Sequence, residues 1–333
     1  MATQTIALSA LRRRKQAAAD PSATPESPPP AAARPVAELP IPAAPLSPEE
    51  AEDARYRLHR RFDRMGRLVG DPGMIRLFAS HVAVIGLGGV GSWAAESLVR
   101  SGVGRLTIVD FDLVCVTNAN RQLHAMKGTT GKPKAAVMAE RLRLINPRCE
   151  VEAIREFYNE GSSERILGGA PDQAPDLVID AIDNLAAKTH LIATCRARGI
   201  PLVVSGGASG RLDPTRIREA DLSKVRGDPF LAATRKILRQ RHDFPRGDAP
   251  WGIPTIYSTE EPAEPLELAY DNGEGFRCVC PQGQNSPHSC EHRSVIYGTA
   301  SFVTGAFGLA CAAAAVRRLL GEVLPHAVAP AAK

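Results

Sequence analysis

A glycine-rich turn, Gly86-Leu87-Gly88-Gly89-Val90-Gly91, restricts the fold of this 333-residue chain more than any other feature. It follows the apolar run from His81 to Ile85, which is typical of a strand buried on both faces, and it leads into a helical pattern that ends at Arg100. Glycines in such a unit let the backbone approach a phosphate closely, while the helix N-terminus offers free N–H groups to the anion. Four glycines are therefore the candidates for phosphate contact: Gly86, Gly88, Gly89 and Gly91.

Beyond this turn, short apolar runs alternate with helical patterns. The predicted strands cover residues 106–109, 151–154, 177–179 and 202–204. The predicted helices between them cover residues 134–145 and 188–198. This alternation predicts an α/β fold with a doubly wound, mostly parallel, Rossmann-like sheet. After residue 207 the pattern loosens, and we expect a smaller C-terminal α+β extension with a strand pair near residues 210–218 and a basic helix over 229–242.

Composition sets the outer boundaries of the domains. Residues 1–50 are rich in Ala, Pro and Ser and are expected to form a disordered tail, and residues 326–333 a second short tail. Between them we place a nucleotide-binding domain over 51–210 and its extension over 211–325. The seven cysteines are scattered and no signal-peptide pattern opens the chain, so a reducing cytoplasm is the expected location.

An uncharged run from Gly298 to Val316 approaches the roughly 20 residues that are needed to cross a bilayer. It is rich in Ala, Gly, Ser and Thr rather than in Leu and Ile, so we predict a buried core helix and no stable membrane span. Peripheral or single-span membrane association through residues 298–316 is the alternative.

Polar side chains follow the second predicted strand. Asp110 ends that strand about 20 residues after the last glycine, where a carboxylate usually binds a ribose hydroxyl. The expected nucleotide contacts beyond it are Asp112, Asn118, Asn120, Arg121, Gln122 and Lys134.

The glycine motif alone fits NAD as well as ATP. Displacement of pyrophosphate from ATP, however, spreads negative charge that Arg, Lys and Mg²⁺ stabilise, whereas hydride transfer needs no such cations. Arg121 and Lys134 therefore favour an ATP-binding, adenylating domain, and an NAD-dependent oxidoreductase is the distant alternative.

Asp183 follows the fourth predicted strand. This position lies at the carboxyl edge of the sheet, where open α/β folds bind ligands, and a carboxylate there can hold Mg²⁺ on the phosphates of ATP. The alternative is that Asp183 caps the helix that follows, because Asp is a favoured capping residue.

In their order and spacing, these elements resemble the adenylating domain shared by ubiquitin-activating-type enzymes and bacterial sulfur-carrier adenylyltransferases. Within that superfamily, further stretches resemble the tRNA threonylcarbamoyladenosine dehydratases. These stretches are Arg61-Phe62, Arg67-Leu68, Gly70, Gly91 to Glu96, Val114 to Asn118, Ser205 to Ala208, Asp213 to Thr215 and Ser258 to Glu260.

The resemblance implies an enzyme that uses ATP and Mg²⁺ to adenylate the threonyl carboxylate of a modified adenosine in the tRNA anticodon loop. The carbamoyl group of the same nucleoside then closes a ring. Asn120, Arg121 and Lys134 would hold the phosphates and Asp183 the metal. A homodimer is implied, in which Arg64 or Arg67 reaches ATP in the partner subunit, and a sulfur-transfer helper protein would be a further partner. The nearest alternative is an adenylyltransferase that activates the C-terminus of a ubiquitin-like sulfur carrier.

Two segments depart from the pattern of the superfamily. Relatives that pass their product to sulfur use a cysteine in a crossover loop, but residues 251–261 contain none, and Thr255 stands near the expected position. Because a thiolate is the nucleophile that such transfer needs, its absence favours intramolecular ring closure. Relatives also hold zinc with Cys-x-x-Cys pairs. The candidate zinc ligands here have atypical spacing, so ordinary loop cysteines are the alternative: Cys278, Cys280, Cys290 and His292.

The formal net charge of +5 favours an anionic partner. Arg235 and Arg239 stand four residues apart on one face of the predicted basic helix. Together with Lys236 and Arg241 they are expected to contact tRNA phosphates, which would supply affinity independent of sequence. A solvated basic face is the alternative.

Overall fold

The computed structural model describes residues 48–247, 249–268 and 297–321, with side chains described from residue 60 onward. Its strands are β1 (His81–Ile85), β2 (Arg105–Val109), β3 (Glu150–Ile154), β4 (Leu177–Asp180), β5 (Leu202–Ser205), β6 (Ile217–Asp221) and β7 (Pro254–Ser258). They form one sheet in the order β3-β2-β1-β4-β5-β7-β6. Every neighbouring pair is parallel except β6 and β7. The predicted α/β fold with a mostly parallel, doubly wound sheet is confirmed.

Helices cover both faces of this sheet. They are α1 (Pro48–Ala79), α2 (Gly91–Arg100), α3 (Lys134–Ile145), α4 (Glu160–Ile166), α5 (Leu185–Ala197), α6 (Pro229–Arg241) and α7 (Ser301–Leu320). The central strands explain why two layers form. Val82 and Val84 of β1 point into the core that α1, α2, α3 and α7 cover, whereas Ala83 and Ile85 point into the core beneath α5 and α6. A strand that is apolar on both faces must be covered on both.

Helix α7 is long and apolar enough to be a candidate membrane span, but most of its residues are buried inside the protein. Its small residues allow close packing against α2. A Cβ atom at Gly308 would collide with the carbonyl oxygen of Val90, and one at Gly305 would lie 3.3 Å from the ring of Trp93. The composition of α7 is therefore explained by helix packing in the core, as the sequence predicts.

The C-terminal half of the sheet differs from the prediction. The strand pair predicted near residues 210–218 does not form. Only one strand, β6, begins there, at Ile217, and it pairs with the later strand β7 in antiparallel register. β7 lies within residues 251–261, which the sequence analysis treats as a crossover loop. Its Thr255 and Ile256 are buried, so hydrogen bonding to β5 and β6 and burial make this segment a strand. The predicted N-terminal tail lies outside the described residues, apart from its last three positions, which belong to α1.

A buried carboxylate joins two helices of one layer. Glu96 of α2, whose side chain is 11% exposed, accepts hydrogen bonds from Arg100 and from Arg141 of α3. Burial raises the pKa of Glu96, but the hydrogen bonds from Arg141 and Arg100 outweigh it and bring the pKa below the ordinary value of 4.5. The ionised form of Glu96 therefore stabilises the contact between α2 and α3.

We expect Glu96→Gln to lower the free energy of unfolding by about 1–3 kcal/mol near neutral pH, because it removes charge-assisted hydrogen bonds from a buried site. Since folding depresses the pKa, the stabilisation is complete above the unfolded-state pKa and is lost as the pH falls through the folded-state value. Urea unfolding at about pH 7 and about pH 4 would measure the difference. Glu140→Gln, at an exposed position of α3, is the matched control. A deficit that does not shrink at the lower pH would contradict this explanation.

Candidate active site

A cavity of about 1130 Å³ opens at the carboxyl edge of the sheet. Residues that follow β1, β2, β4 and β5 form its walls, together with the first residue of α3 and the segment that precedes α7. β1 lies between β2 and β4, so the strand order reverses direction at this point. Open α/β sheets bind their ligands in the crevice at such a switch point.

All of the predicted ATP contacts except Gly91 line this cavity. They are Gly86, Gly88, Gly89, Asp110, Asp112, Asn118, Asn120, Arg121, Gln122, Lys134 and Asp183. Gly91 is buried behind the turn, where a side chain would collide with the carbonyl oxygen of Gly86. Glycine is required there so that α2 can start close to the end of β1. Contact between Gly91 and a phosphate stays a prediction.

The glycine turn has the geometry of an anion site. Gly86 has a φ of 91°, which favours glycine, and a Cβ there would lie 2.8 Å from the carbonyl oxygen of Ala181. Val90 at the N-cap of α2 makes no side-chain hydrogen bond to the first turn. The first turn of α2 therefore has no side-chain cap and directly follows Gly88, Gly89 and Val90 of the cavity wall, an arrangement that is typical of phosphate sites.

Asp110 fixes this turn to the end of β2. Its Oδ2 atom accepts a hydrogen bond of 2.7 Å from Leu87 N, and its Oδ1 atom accepts one of 2.9 Å from Asp112 N. Burial raises the pKa of Asp110, and the charge of Lys134 opposes that shift. Contact between Asp110 and a ribose stays a prediction, whereas its hydrogen bonds to the turn are a feature of the structure.

Lys134 is a buried cation within the cavity wall. Its Nζ atom lies 2.8 Å from Asp112 Oδ2, and its side chain is 6% exposed. Burial lowers the pKa of Lys134, but the carboxylates of Asp110 and Asp112 outweigh that effect and raise it above the ordinary value. Lys134 is thus a fixed positive charge near the glycine turn, as stabilisation of developing negative charge requires.

The loop after β2 is held at several points. Arg121 donates from Nη1 to Asn120 Oδ1 at 2.9 Å, and its carbonyl oxygen accepts a hydrogen bond from Trp93 Nε1 at 3.1 Å. The Nδ2 atom of Asn120 donates to the carbonyl oxygen of Thr299, 2.8 Å away and just before α7. Asn118 accepts from Cys115 N and shapes the loop from within. These contacts keep Arg121 in the wall that also carries Lys134.

His124 supports the site from behind the cavity wall, a role that the sequence did not predict. It is completely buried, and burial together with the charge of Lys134 lowers its pKa to about 3, so the imidazole is neutral. Its Nε2 atom lies 3.0 Å from Gln122 Oε1 and acts as the donor, because that oxygen can only accept. With this assignment the amide nitrogen of Gln122 faces Gly88, and a Cβ atom added at Gly88 would lie 4.0 Å from that nitrogen. A single loop histidine gave no sequence signal for this role.

The carboxylate of Asp183 is exposed at the cavity. The capping role is taken by Asn184, whose Oδ1 atom accepts from Ala187 N at 3.0 Å, so the alternative interpretation of Asp183 as a cap is wrong. Beneath it, Asp180 accepts from Ile182 N and forms a fully buried ion pair with Lys188 at 2.8 Å. This pair holds the turn that carries Asp183, whose carboxylate makes no hydrogen bond within the described ranges and suits a hard cation.

Other predicted site residues lie away from the cavity or outside the description. Arg64 and Arg67 are exposed on α1 and do not line the cavity, and Arg67 pairs with Asp63 at 3.1 Å. The predicted zinc ligands, residues 278–292, are outside the described residues. Among the described residues no cluster of His, Cys, Asp or Glu could hold a metal ion as a group of three.

The prediction for the basic helix is wrong for Arg235. This residue is 8% exposed, because it shares the buried face of α6 with Leu231 and Leu238, so it is part of the packing of α6 and is not positioned as a tRNA contact. The guanidinium of the half-buried Arg239 packs 5.1 Å from the ring centre of Trp251, and its contact with tRNA stays a prediction. Lys236 and Arg241 are exposed, as the prediction requires.

The sequence analysis also did not assign the opposite wall of the cavity. It includes Ser205, Gly206, Gly207, Ala208, Ser209, Arg211, Asp228 and Phe230. Asp228 organises this wall, since Oδ1 caps α6 by accepting from Leu231 N at 2.9 Å and Oδ2 accepts from Gly207 N at 3.0 Å. The sequence analysis used this stretch only for its resemblance to relatives and derived no contact from it.

The sequence model of the ThiF family matches residues 62–332. The chain belongs to the ThiF family. This ThiF-family chain is 39% identical to the tRNA threonylcarbamoyladenosine dehydratase of Haemophilus influenzae over 262 residues, which are 78% of this chain and 94% of that protein. Identity to the protein of the same name from Escherichia coli is 39% over 265 residues, or 79% and 94% of the two chains.

A solved structure shows the same similarity in three dimensions. The crystal structure of the E. coli tRNA N6-threonylcarbamoyladenosine dehydratase in complex with ATP matches this ThiF-family chain with a TM-score of 0.67 and 35% sequence identity. The match covers 79% of this chain and 95% of the E. coli chain. The sheet and its flanking helices are therefore shared across almost the whole of that relative.

Proposed function

We propose that this protein is an ATP-dependent tRNA-modifying enzyme that dehydrates threonylcarbamoyladenosine in the anticodon loop to its cyclic form. The observation that carries the proposal is the cavity in which Lys134, Arg121 and the exposed carboxylate of Asp183 surround the glycine turn. The names of the relatives that share 39% identity over nearly their full length support the choice of substrate. The ATP complex of the E. coli relative supports the choice of nucleotide.

The proposed reaction has two steps. A threonyl carboxylate oxygen attacks the α-phosphorus of ATP, the bond to pyrophosphate breaks, and an acyl-adenylate forms. The carbamoyl group of the same nucleoside then attacks the acyl carbon, AMP leaves and a proton is lost, so that the nucleoside loses one water in total. Lys134 and Arg121 would hold the phosphates and neutralise the departing pyrophosphate. Asp183 would bind Mg²⁺, which supplies further positive charge to the phosphates when bound.

Activation of a sulfur-carrier protein is the second candidate function, and the cysteines argue against it. The four described cysteines are all buried: Cys115, Cys149, Cys195 and Cys311. Burial raises the pKa of Cys149 and of Cys311 to about 12. Thr255, near the position expected for a nucleophile, is fully buried in β7. Within the described residues no exposed thiolate is available for transfer, which favours ring closure within the substrate.

We expect the wild-type protein to release AMP from ATP only when tRNA carrying the modified nucleoside is present, with a product lighter by one water.

Lys134→Met should lower kcat by about 10²–10³-fold, because it removes a fixed charge that stabilises the transition state. Lys132→Met is the matched control, since Lys132 is exposed and does not line the cavity. AMP release and nucleoside mass are the readouts, with thermal melts to confirm folding. Unchanged turnover in Lys134→Met, or pyrophosphate exchange that needs a carrier protein instead of tRNA, would sink the proposal.

We propose that Lys236 and Arg241 contact the tRNA backbone. Both are exposed on α6, whose N-terminal residues Pro229 and Phe230 line the cavity. The double substitution Lys236→Ala with Arg241→Ala should weaken tRNA binding and reduce the slope of log K against log salt by about 2, one for each phosphate contact. ATP binding should not change. Arg235→Ala is the comparison, and it should mainly lower thermal stability. Equal salt slopes in the double variant and the wild type would refute this surface.

We also propose a homodimer in which Arg64 or Arg67 reaches the nucleotide of the partner. Both arginines are exposed and lie outside their own cavity. Helix α7 exposes Phe302 and Leu309, 55% and 49% accessible and seven residues apart on one face, which a second copy would cover. If one arginine acts across the dimer, mixing inactive Lys134→Met with inactive Arg64→Ala or Arg67→Ala should restore part of the activity. No restoration with either arginine variant, or a monomer in sedimentation, would contradict the arrangement.

The remaining partner and location predictions rest on resemblance and chemistry. ATP and tRNA as substrates, and buried free cysteines, support the cytoplasm as the location. A sulfur-transfer helper protein and a zinc site in residues 278–292 stay predictions.

A further inference from the structure

The cavity has two sides that are separated by the glycine turn. Asp110 at the end of β2 lies on one side, toward β3, and the ribose of a bound nucleotide is expected there. The other side is formed by residues that follow β4 and β5, including Gly207, Arg211 and Asp228. With the phosphates at the turn beside Asp183, a nucleotide that extends toward β2 leaves the part of this β4–β5 side that follows β5 open to a second ligand.

Gly206 and Gly207 are adjacent on the β4–β5 side, but only Gly206 must be glycine for steric reasons. A Cβ at Gly206 would lie 2.7 Å from Asp228 Oδ2 and 2.9 Å from Leu231 Cδ1, so packing requires glycine there. At Gly207 the nearest atoms, on Arg211 and Asp228, would be 3.7 Å away, which is ordinary van der Waals contact. The φ angle of Gly207 is not positive. Neither the backbone nor the packing of the described residues therefore requires glycine at position 207.

Gly88 on the nucleotide side has the same properties. A Cβ there would come no closer than 4.0 Å to another atom, its φ is not positive, and it lines the cavity. At the corresponding place in dinucleotide-binding folds, glycine lets the backbone approach a phosphate closely. By the same physical argument, Gly207 marks a second place where a ligand approaches the backbone.

Arg211 and Asp228 indicate the polarity of that ligand. It lines the same side, and its side chain is 2% exposed. It donates from Nη1 to the carbonyl oxygens of Gly207 and Ser209, while its Nη2 atom has no hydrogen-bond acceptor among the described residues and lies 3.8 Å from Asp228 Oδ2. Because the carboxylate of Asp228 balances the charge of Arg211, this pair forms a polar wall behind Gly207 with one unused N–H donor, which suits an oxygen-bearing group of a ligand.

We infer that the β4–β5 side is the subsite for the carboxylate-bearing nucleoside, with Gly207 as its closest backbone contact. This inference rests on the proposed function, because the carboxylate must lie beside the nucleotide for adenylation. Gly207 is then a residue that determines which acyl substrate fits, and Arg211 positions the loop through its hydrogen bonds to the carbonyl oxygens of Gly207 and Ser209.

Gly207→Ala in the full chain tests this assignment. The added methyl group should raise KM for the modified tRNA by about tenfold or more, because it occupies space that the substrate needs. ATP affinity measured without tRNA should stay within about twofold of the wild-type value. Gly88→Ala is the matched variant for the opposite side and should give the reverse pattern, with weakened ATP binding. An unchanged KM for tRNA in Gly207→Ala, alongside active wild-type protein, overturns the inference.

A measurement on the wild-type protein covers the case in which the variant does not fold. Hydrogen exchange in the segment 202–212 should slow when tRNA and a non-hydrolysable ATP analogue are both bound, and not with the analogue alone. Absence of this additional protection overturns the assignment of Gly207. A wild-type protein that shows no tRNA-dependent AMP release overturns the proposed function instead, so the two failures are distinguishable.

Discussion

The buried carboxylate of Asp110 connects the two loops between which a nucleotide must lie. One oxygen accepts from the glycine turn and the other from the loop after β2, so both loops keep a fixed distance from the end of β2. A carboxylate in this position would be unfavourable alone, since burial raises its pKa, and Lys134 offsets that effect. The same lysine then serves as the cation of the cavity. The cluster of Asp110, Asp112 and Lys134 thus fixes the two loops and also supplies a buried cation to the cavity wall.

This cluster also fixes the position of the cation in the cavity wall. The ammonium group of Lys134 is held by Asp112 and is almost inaccessible to water. Asp183 is different, because Asn184 caps the helix in its place and the carboxylate of Asp183 stays exposed at the cavity. The buried ion pair and the exposed carboxylate are therefore both in place around the glycine turn before any ligand arrives. Preorganisation of this kind avoids a reorganisation cost during the reaction.

Sequence reasoning succeeded where a local pattern determines the structure and failed where long-range pairing does. Strands such as β1 are apolar on both faces and flanked by glycines, which predicts central parallel strands. β6 reads Ile-Arg-Glu-Ala-Asp, a largely polar edge strand, and its pairing with β7 has no local signal. The apolar spacing of Leu231 and Leu238 puts Arg235 on the buried face of α6, which the charge of the residue alone does not predict. Asp183 and Asn184 are both good caps, and only the helix register decides between them.

Residues in and just before helix α7, near the C-terminal end of the described chain, contact the glycine turn and the loop after β2. Thr304 packs against Gly89, where a Cβ would lie 3.1 Å away, and Thr299 accepts a hydrogen bond from Asn120. The glycine turn and the loop that carries Arg121 are thus supported by residues that leave the ribosome some two hundred positions later. A nascent chain that already contains β1 to β5 still lacks this support. The walls of the cavity are consequently complete only when residues 299–304 have been synthesised.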